Sequence, residues 1–277
     1  MRTVRLPCGE QVPAYGMGTW RLAENDNARA EEIATLRLGL ERGARLIDTA
    51  EMYGEGRAES LVGEAIAGQR DAVFLVTKVY PHHADRRGVA RACERSLQRL
   101  GTDRIDLYLL HWRGDVPLSE TMEAFAALKR AGKIRHYGVS NFDLADMQEL
   151  FELEAGRDVQ TDQVLYNLTR RGLEWQLLPW LRERHLPLMA YSPFEEGRLL
   201  QHRGLREFAD RHEMTPAQVA LAWLFTRDDV IVIPKSARRS RLLENLGALE
   251  HALDAEQVAE LEQLFPPPDG PRALEMI

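Results

Sequence analysis

Cysteine is nearly missing from this sequence: Cys8 and Cys93 are the only two among 277 residues. Two thiols cannot staple a small scaffold, so a reducing, cytoplasmic setting is the default expectation. Long apolar runs are missing too. The longest, Val219 to Phe225, falls far short of the roughly 20 residues a membrane-spanning helix needs. The opening residues, Met1 to Glu10, carry no apolar stretch of the secretory kind, so no leader is expected. There is no basic block: 36 Lys and Arg stand against 43 Asp and Glu, a net charge of −7. That balance speaks against nucleic acid and against anionic membranes as partners.

Several motifs are absent as well. Gly16-Met-Gly18 and Gly54-Glu-Gly56 each supply half of a dinucleotide fingerprint, and neither is followed by the third glycine of a Rossmann loop. No Walker loop, nucleophile elbow or His-Glu-x-x-His occurs. His82-His83 are adjacent, and neighbouring side chains seldom converge on one ion, so no metal is expected there.

What remains is an ordinary globule, 44% hydrophobic and 29% charged, which excludes disorder, collagen and coiled coil. At about 150 residues per domain the length suggests two domains, yet single α/β barrels run to roughly 250. Short apolar runs alternate with longer amphipathic stretches. The runs are Ala44–Ile47, Val73–Thr77, Ile105–Leu110, Ile134–Val139, Thr161–Leu165, Pro187–Tyr191 and Val230–Ile233, with a first near Ala14–Met17. Between them the spacing predicts helices over Arg29–Glu41, Ala58–Ile66, Gly88–Leu100, Leu118–Ala131, Leu144–Leu153, Trp175–Glu183 and Arg238–Leu249. One longer interval holds two, Leu205–His212 and Pro216–Phe225, the latter announced by Thr215 as N-cap. Eight βα units with nearly continuous apolar strands imply a parallel sheet covered by helices. The fold expected is therefore a (β/α)8 TIM barrel spanning residues 1–277 as one domain. Thr3–Leu6 and Gln11–Pro13 read as an N-terminal β-hairpin at the barrel bottom, and Pro266 to Ile277 as an irregular tail.

Barrels of this kind carry their chemistry at the carboxyl ends of the strands. In order, those ends hold Asp48, Lys78, His111, Ser140-Asn141, Gln163, Tyr191 and Lys235. Any one of them could be a capped strand end; seven in succession favour a site. Asp48, Tyr53, Lys78 and His111 come from neighbouring strands and can converge. Asp48 and Lys78 would pair, since a lone buried charge is costly. An ammonium near Tyr53 would lower a tyrosine pKa from about 10, and His111 would bind the same oxygen or a substrate carbonyl. The group makes a positioned proton donor.

These residues sit in longer stretches that resemble the aldo-keto reductase family over nearly the whole chain. They are Leu46-Ile-Asp-Thr-Ala-Glu-Met-Tyr-Gly54, Phe74-Leu-Val-Thr-Lys78 and Asp106-Leu-Tyr-Leu-Leu-His111. Gly132-Lys-Ile-Arg-His-Tyr-Gly-Val-Ser-Asn-Phe142 and Ile233-Pro-Lys-Ser236 with Arg241, Glu244 and Asn245 complete the set. Ala50-Glu-Met-Tyr53 and His111-Trp112 look most like bacterial methylglyoxal-reductase-type members.

The resemblance implies an NADPH-dependent reductase of small aldehydes and ketones, 2-oxoaldehydes such as methylglyoxal being favoured. It implies Tyr53 as the acid, tuned by Lys78 and Asp48, with His111 orienting the carbonyl. Nicotinamide would be held by Ser140, Asn141 and Gln163 under Tyr191, with Gly18, Thr19 and Trp20 alongside. Ser192, Pro193 and Phe194 would approach the pyrophosphate, and Ile233, Pro234, Lys235, Ser236, Arg241, Glu244 and Asn245 the adenosine end. Lys235 and Arg241 beside a helix start suit a 2′-phosphate, hence NADPH over NADH. Trp20, Tyr53, Tyr80, His111 and Trp112 would line the substrate pocket, although the aromatics Trp20, Tyr80 and Trp112 would equally serve as rim packing.

Two departures stand out. Glu195 and Glu196 fall where the family's loop meets the pyrophosphate, and carboxylates there would repel unless turned away. Asp162 stands where asparagine is commoner and is expected to point off the cofactor. The same site run in reverse would serve a sugar or secondary-alcohol dehydrogenase, and a cofactor-sensing binding subunit is a further alternative. A monomer is expected, with a dimer also compatible.

Overall fold

A computed structural model describes residues 2–277. Two short strands, β1 (Thr3–Arg5) and β2 (Gln11–Pro13), pair antiparallel with Val4 opposite Val12. Eight parallel strands follow: β3 (Gly16–Gly18), β4 (Leu46–Asp48), β5 (Phe74–Val79), β6 (Ile105–Leu110), β7 (Ile134–Ser140), β8 (Asp162–Leu165), β9 (Leu188–Tyr191) and β10 (Val230–Val232). Each pairs with its sequence neighbour. Bridges Tyr15–Val232 and Gly18–Lys235 join the first barrel strand to the last and close the ring. The (β/α)8 barrel with an N-terminal hairpin is thus present as expected.

Strands such as Phe74-Leu-Val-Thr-Lys-Val79 and Ile105-Asp-Leu-Tyr-Leu-Leu110 are buried at every position. One face fills the barrel and the other meets the helices, which is why these segments read as apolar runs rather than alternating ones. Around them lie α1 (Arg29–Glu41), α2 (Arg57–Ile66), α3 (Arg86–Leu100), α4 (Leu118–Arg130), α5 (Leu144–Glu152) and α6 (Leu177–Glu183). Then come α7 (Arg203–Arg211), α8 (Pro216–Phe225), α9 (Arg239–Gly247) and α10 (Ala255–Leu264).

Local chemistry sets the helix ends. Asp85 caps α3 by accepting from the N–H groups of Arg87 and Gly88, and Gly101 ends it at φ +62°. Thr215 and Gln218 form a reciprocal capping box at α8, each side chain accepting from the other's backbone. Replacing such a cap by alanine costs about 1 kcal/mol. Helix α10 is an addition to the sequence reading; its own box joins Asp254 and Gln257.

The hairpin covers the amino-terminal ends of the strands. Cys8 N–H donates to Gln160 Oε1 at 2.9 Å, just before β8, and Glu10 contacts Arg135 and His136 near the start of β7. The opposite, carboxyl-terminal end stays free of the hairpin. No helix among the described residues is long and apolar enough to cross a membrane.

Candidate active site at the carboxyl ends of the strands

Strand geometry fixes the centre of the site. Asp48 ends β4 and Lys78 lies in β5, and both are fully buried. Lys78 Nζ donates to Asp48 Oδ1 at 2.6 Å and Oδ2 at 2.7 Å, and to the Thr49 carbonyl at 2.9 Å. It also donates to the Tyr53 hydroxyl at 3.2 Å. Thr19 Oγ1 donates to the Asp48 carbonyl at 2.9 Å and so ties the end of β4 to the loop after β3. The Tyr53 and His111 rings meet edge to face, centroids 5.8 Å apart. The predicted four therefore converge.

Their electrostatics differ from the sequence expectation in one respect. Burial pushes the Tyr53 hydroxyl well above its usual pKa, and the Asp48 charge adds to the rise. The ammonium that was to lower it is bound by both oxygens of Asp48, so the tyrosine faces a nearly neutral pair. Tyr53 is held as a protonated donor across the physiological range. Burial likewise pushes the Asp48 carboxyl up and the Lys78 ammonium down, each opposed by the other's charge. His111 falls well below the usual histidine value, through burial first and the Lys78 charge second. It is a neutral imidazole, and its Nδ1 has no hydrogen-bond partner.

A second network joins this centre from β7, β8 and β9. Gln163 Nε2 donates to Asp48 Oδ2 at 3.1 Å. Ser140 Oγ donates to the Gln163 carbonyl at 2.8 Å, and Asn141 N–H to the same carbonyl at 2.9 Å. Asn141 Nδ2 reaches the His111 carbonyl at 3.0 Å, while its Oδ1 accepts from the Tyr191 hydroxyl at 2.8 Å. Asn141 adopts φ +58°, a left-handed conformation that asparagine tolerates better than most residues. Ser140, Asn141, Gln163 and Tyr191 thus form one polar wall beside the acid.

The predicted adenosine-end residues gather elsewhere, around the start of α9. That helix has no side-chain cap, so its first N–H groups stay open to an anion. Lys235 and Arg241 are exposed beside it, and Asn245 Nδ2 donates to Ser236 Oγ at 2.9 Å. Arg241 lies 3.0 Å from Glu244, one turn along. Ile233 and Pro234 are buried against Gly18, whose N–H donates to the Pro234 carbonyl at 3.0 Å. A Cβ on Gly18 would sit 2.8 Å from the Ile233 carbonyl oxygen, so only glycine lets β3 approach this closely.

The loop after β9 answers the question posed by its two glutamates. Glu195 is buried and turned inward, accepting from Arg170 at 2.6 Å, Arg198 at 2.9 Å and Asn167 at 3.0 Å. Burial raises its pKa, and these bonds more than reverse the rise, holding the carboxylate below its usual range. Glu196 pairs with Arg21 at 3.2 Å, and Arg21 lies 4.3 Å from the Trp20 ring centroid. Ser192, at φ +50°, turns its carbonyl to Asn167 Nδ2 at 2.9 Å, which sets Pro193 and Phe194 at the rim. Asp162 is wholly buried with Oδ2 unpartnered, and burial pushes its pKa far up.

On the rim, Tyr80 and Trp112 meet edge to face at 5.9 Å, and Trp112 lies 5.0 Å from His111. Sequence reasoning gave no role to Glu51, which holds this rim. Its buried carboxylate accepts from Tyr80 N–H at 2.8 Å and from Arg95 at 3.3 Å, and contacts His83 Nδ1 at 2.9 Å. The available signal was a carboxylate set between two site residues, Asp48 and Tyr53.

Comparison with known proteins agrees with this geometry. The profile of the Aldo/keto reductase family matches residues 14–265. The chain is 47% identical over 271 residues to the methylglyoxal reductase YeaE of Escherichia coli (strain K12), covering 96% of this chain and 95% of that protein. It is 31% identical over 262 residues to the glyoxal reductase of Bacillus subtilis (strain 168), covering 95% and 92%. Among solved structures, an aldo/keto reductase from Klebsiella pneumoniae in complex with NADP and acetate superposes with a TM-score of 0.97 at 47% identity, covering 100% of this chain and 99% of that one.

Proposed function

This chain belongs to the aldo/keto reductase family, and from that premise we propose that Asp48, Tyr53, Lys78 and His111 form the proton-donating centre at which NADPH reduces 2-oxoaldehydes of the methylglyoxal class. It is an oxidoreductase that uses NADPH to reduce small aldehydes and ketones. The residues fit such a cofactor: an amide-and-hydroxyl wall at Ser140, Asn141 and Gln163, a flanking tyrosine, and an uncapped helix start with Lys235 and Arg241. When bound, the nicotinamide supplies a hydride to the carbonyl carbon.

The chain's own part is the proton. The Tyr53 hydroxyl donates to the substrate oxygen as negative charge develops there, and Lys78 Nζ, 3.2 Å away, stabilises the oxygen left behind. Asp48 fixes the ammonium through two short bonds, so it is aimed before substrate arrives. His111 is neutral and can present an N–H to the carbonyl without repelling Lys78. Tyr80 and Trp112 narrow the entrance, which suits a small dicarbonyl with little to bury.

The observation that carries this reading is the continuous Asp48–Lys78–Tyr53 chain, fully buried at Asp48 and half-buried at Tyr53. Tyr53→Phe keeps the ring and removes the proton. Turnover of methylglyoxal should fall roughly 10²- to 10⁴-fold with NADPH binding nearly intact. Near-normal turnover at saturating aldehyde refutes the assignment. Running aromatic aldehydes and sugar ketones beside 2-oxoaldehydes, with NADH in parallel, tests the substrate class.

A further inference from the structure

At the end of the barrel opposite the active site, three different ligand-bearing side chains meet. Cys8 stands in the hairpin turn, Glu10 just after it, and His136 in β7. One sulfur, one carboxylate oxygen and one imidazole nitrogen lie within 4.8 Å of one another, and no other such trio occurs among the described residues. We propose that Cys8, Glu10 and His136 bind a thiophilic divalent cation of the zinc class, which clasps the hairpin to the barrel.

The donor set decides the cation. Sulfur and imidazole nitrogen suit zinc, whereas magnesium and calcium take oxygen. Zinc takes cysteine as the thiolate, which would be the anionic donor no arginine already pairs, since Glu10 is shared with Arg135. A tetrahedral zinc, with bonds of about 2.0–2.3 Å, sets its ligand atoms roughly 3.5 Å apart. The trio would therefore close by about 1 Å, and the 2.7 Å Glu10–His136 contact would open slightly. Water would complete the fourth position.

The surroundings hold these ligands in place. Cys8 N–H is fixed to Gln160 Oε1 at 2.9 Å, which anchors the turn. Arg135 grips Glu10 at 2.8 and 2.9 Å and also pairs at 2.9 Å with Asp106, which Arg70 shares at 2.8 Å. His136 is nine-tenths buried, and its Nδ1 has no hydrogen-bond partner. Cys8 is an exposed free thiol, whereas Cys93 is buried. Three such ligands meet at this cluster and at no other place among the described residues.

The test uses the full chain stripped with chelator. Cobalt should give a thiolate charge-transfer band at one equivalent, and zinc at about 100-fold excess over its Kd should raise Tm by roughly 5 °C. Both responses should vanish in Cys8→Ser and weaken strongly in His136→Asn, while carbonyl reduction by Cys8→Ser stays at the wild-type rate. Cys8→Ser sits at an exposed position, so its metal-free Tm should match wild type and separate lost binding from lost folding. Absence of the cobalt band in wild type, or an undiminished zinc shift in Cys8→Ser, overturns the proposal.

Discussion

Asp162→Asn should make this protein more stable at neutral and alkaline pH, and no more stable in acid. The carboxyl is wholly buried at the start of β8, and among the described residues its Oδ2 lacks a partner and its only side-chain hydrogen bond is from Phe142 N–H, which donates to Oδ1 at 3.5 Å. Burial raises its folded pKa far above the unfolded value of about 3.9. The folded state then binds more protons than the unfolded one, so stability is complete below about pH 4 and declines as pH rises towards the folded pKa. Each pH unit in that window costs about 1.4 kcal/mol, up to about 4 kcal/mol by pH 7 if the carboxyl stays fully protonated. Asparagine is nearly isosteric and carries no charge. With an unfolding entropy near 2.1 cal/mol/K per residue, a gain of about 1–4 kcal/mol raises Tm by roughly 2–7 °C. Thermal melts of both proteins at pH 5, 7 and 8.5 measure it. An equal difference at every pH, or a less stable variant at pH 8.5, would mean that Asp162 has a charged role no contact here explains.

Three further outcomes follow from the site. Lys78→Met strands the buried Asp48 charge and should destabilise the fold by about 3–5 kcal/mol in urea melts, whereas the Asp48→Asn/Lys78→Met double variant should regain most of that stability yet stay inactive; equal loss in both would remove the pair from the account. Arg241→Ala should weaken NADPH roughly 10- to 100-fold by fluorescence titration and leave NADH nearly unchanged, with salt imitating part of the effect. Equal weakening of both nucleotides would assign Arg241 to holding α9 in place. Glu51→Gln loosens the grip on Tyr80 and His83, so KM for the aldehyde should rise about 3- to 10-fold with kcat changing little; an unchanged KM makes Glu51 purely structural.

Much of the barrel was legible because its strands are covered on both faces. Ile105–Leu110 is the same in sequence and structure, and Val73–Thr77 shifts only to Phe74–Val79. Helix α10 was legible but went unread: Asp254 and Gln257 offered a capping box, and Val258, Leu261 and Leu264 recur at helical spacing, although only Leu261 is buried. That Asp48, Tyr53, Lys78 and His111 lie together was readable from their places at and just after neighbouring strand ends. The direction of the Tyr53 pKa was not, since it is set first by how deeply the fold buries the hydroxyl and then by the Asp48 charge beside it. Sequence spacing likewise conceals the Gln163–Asp48 bond, which spans 115 positions. The fate of Glu195 was hidden in part for a similar reason: Arg198 is three residues away, but Arg170 lies on the loop after β8 and reaches Glu195 only through the pairing of β8 with β9.

The seam that closes the ring has a consequence for how the protein matures. Gly18, beside the catalytic strand end, hydrogen-bonds into the Ile233–Lys235 segment, more than two hundred positions away. The part of the proposed nucleotide cradle at this seam therefore joins the first barrel strand, β3, to the segment after the last, β10, and is absent until both are made. A chain still emerging from the ribosome has its acid residues but no complete cradle. NADPH can select only the finished ring, and mass action then draws the last closing step forward. Bound nucleotide would in this sense be a latch for assembly.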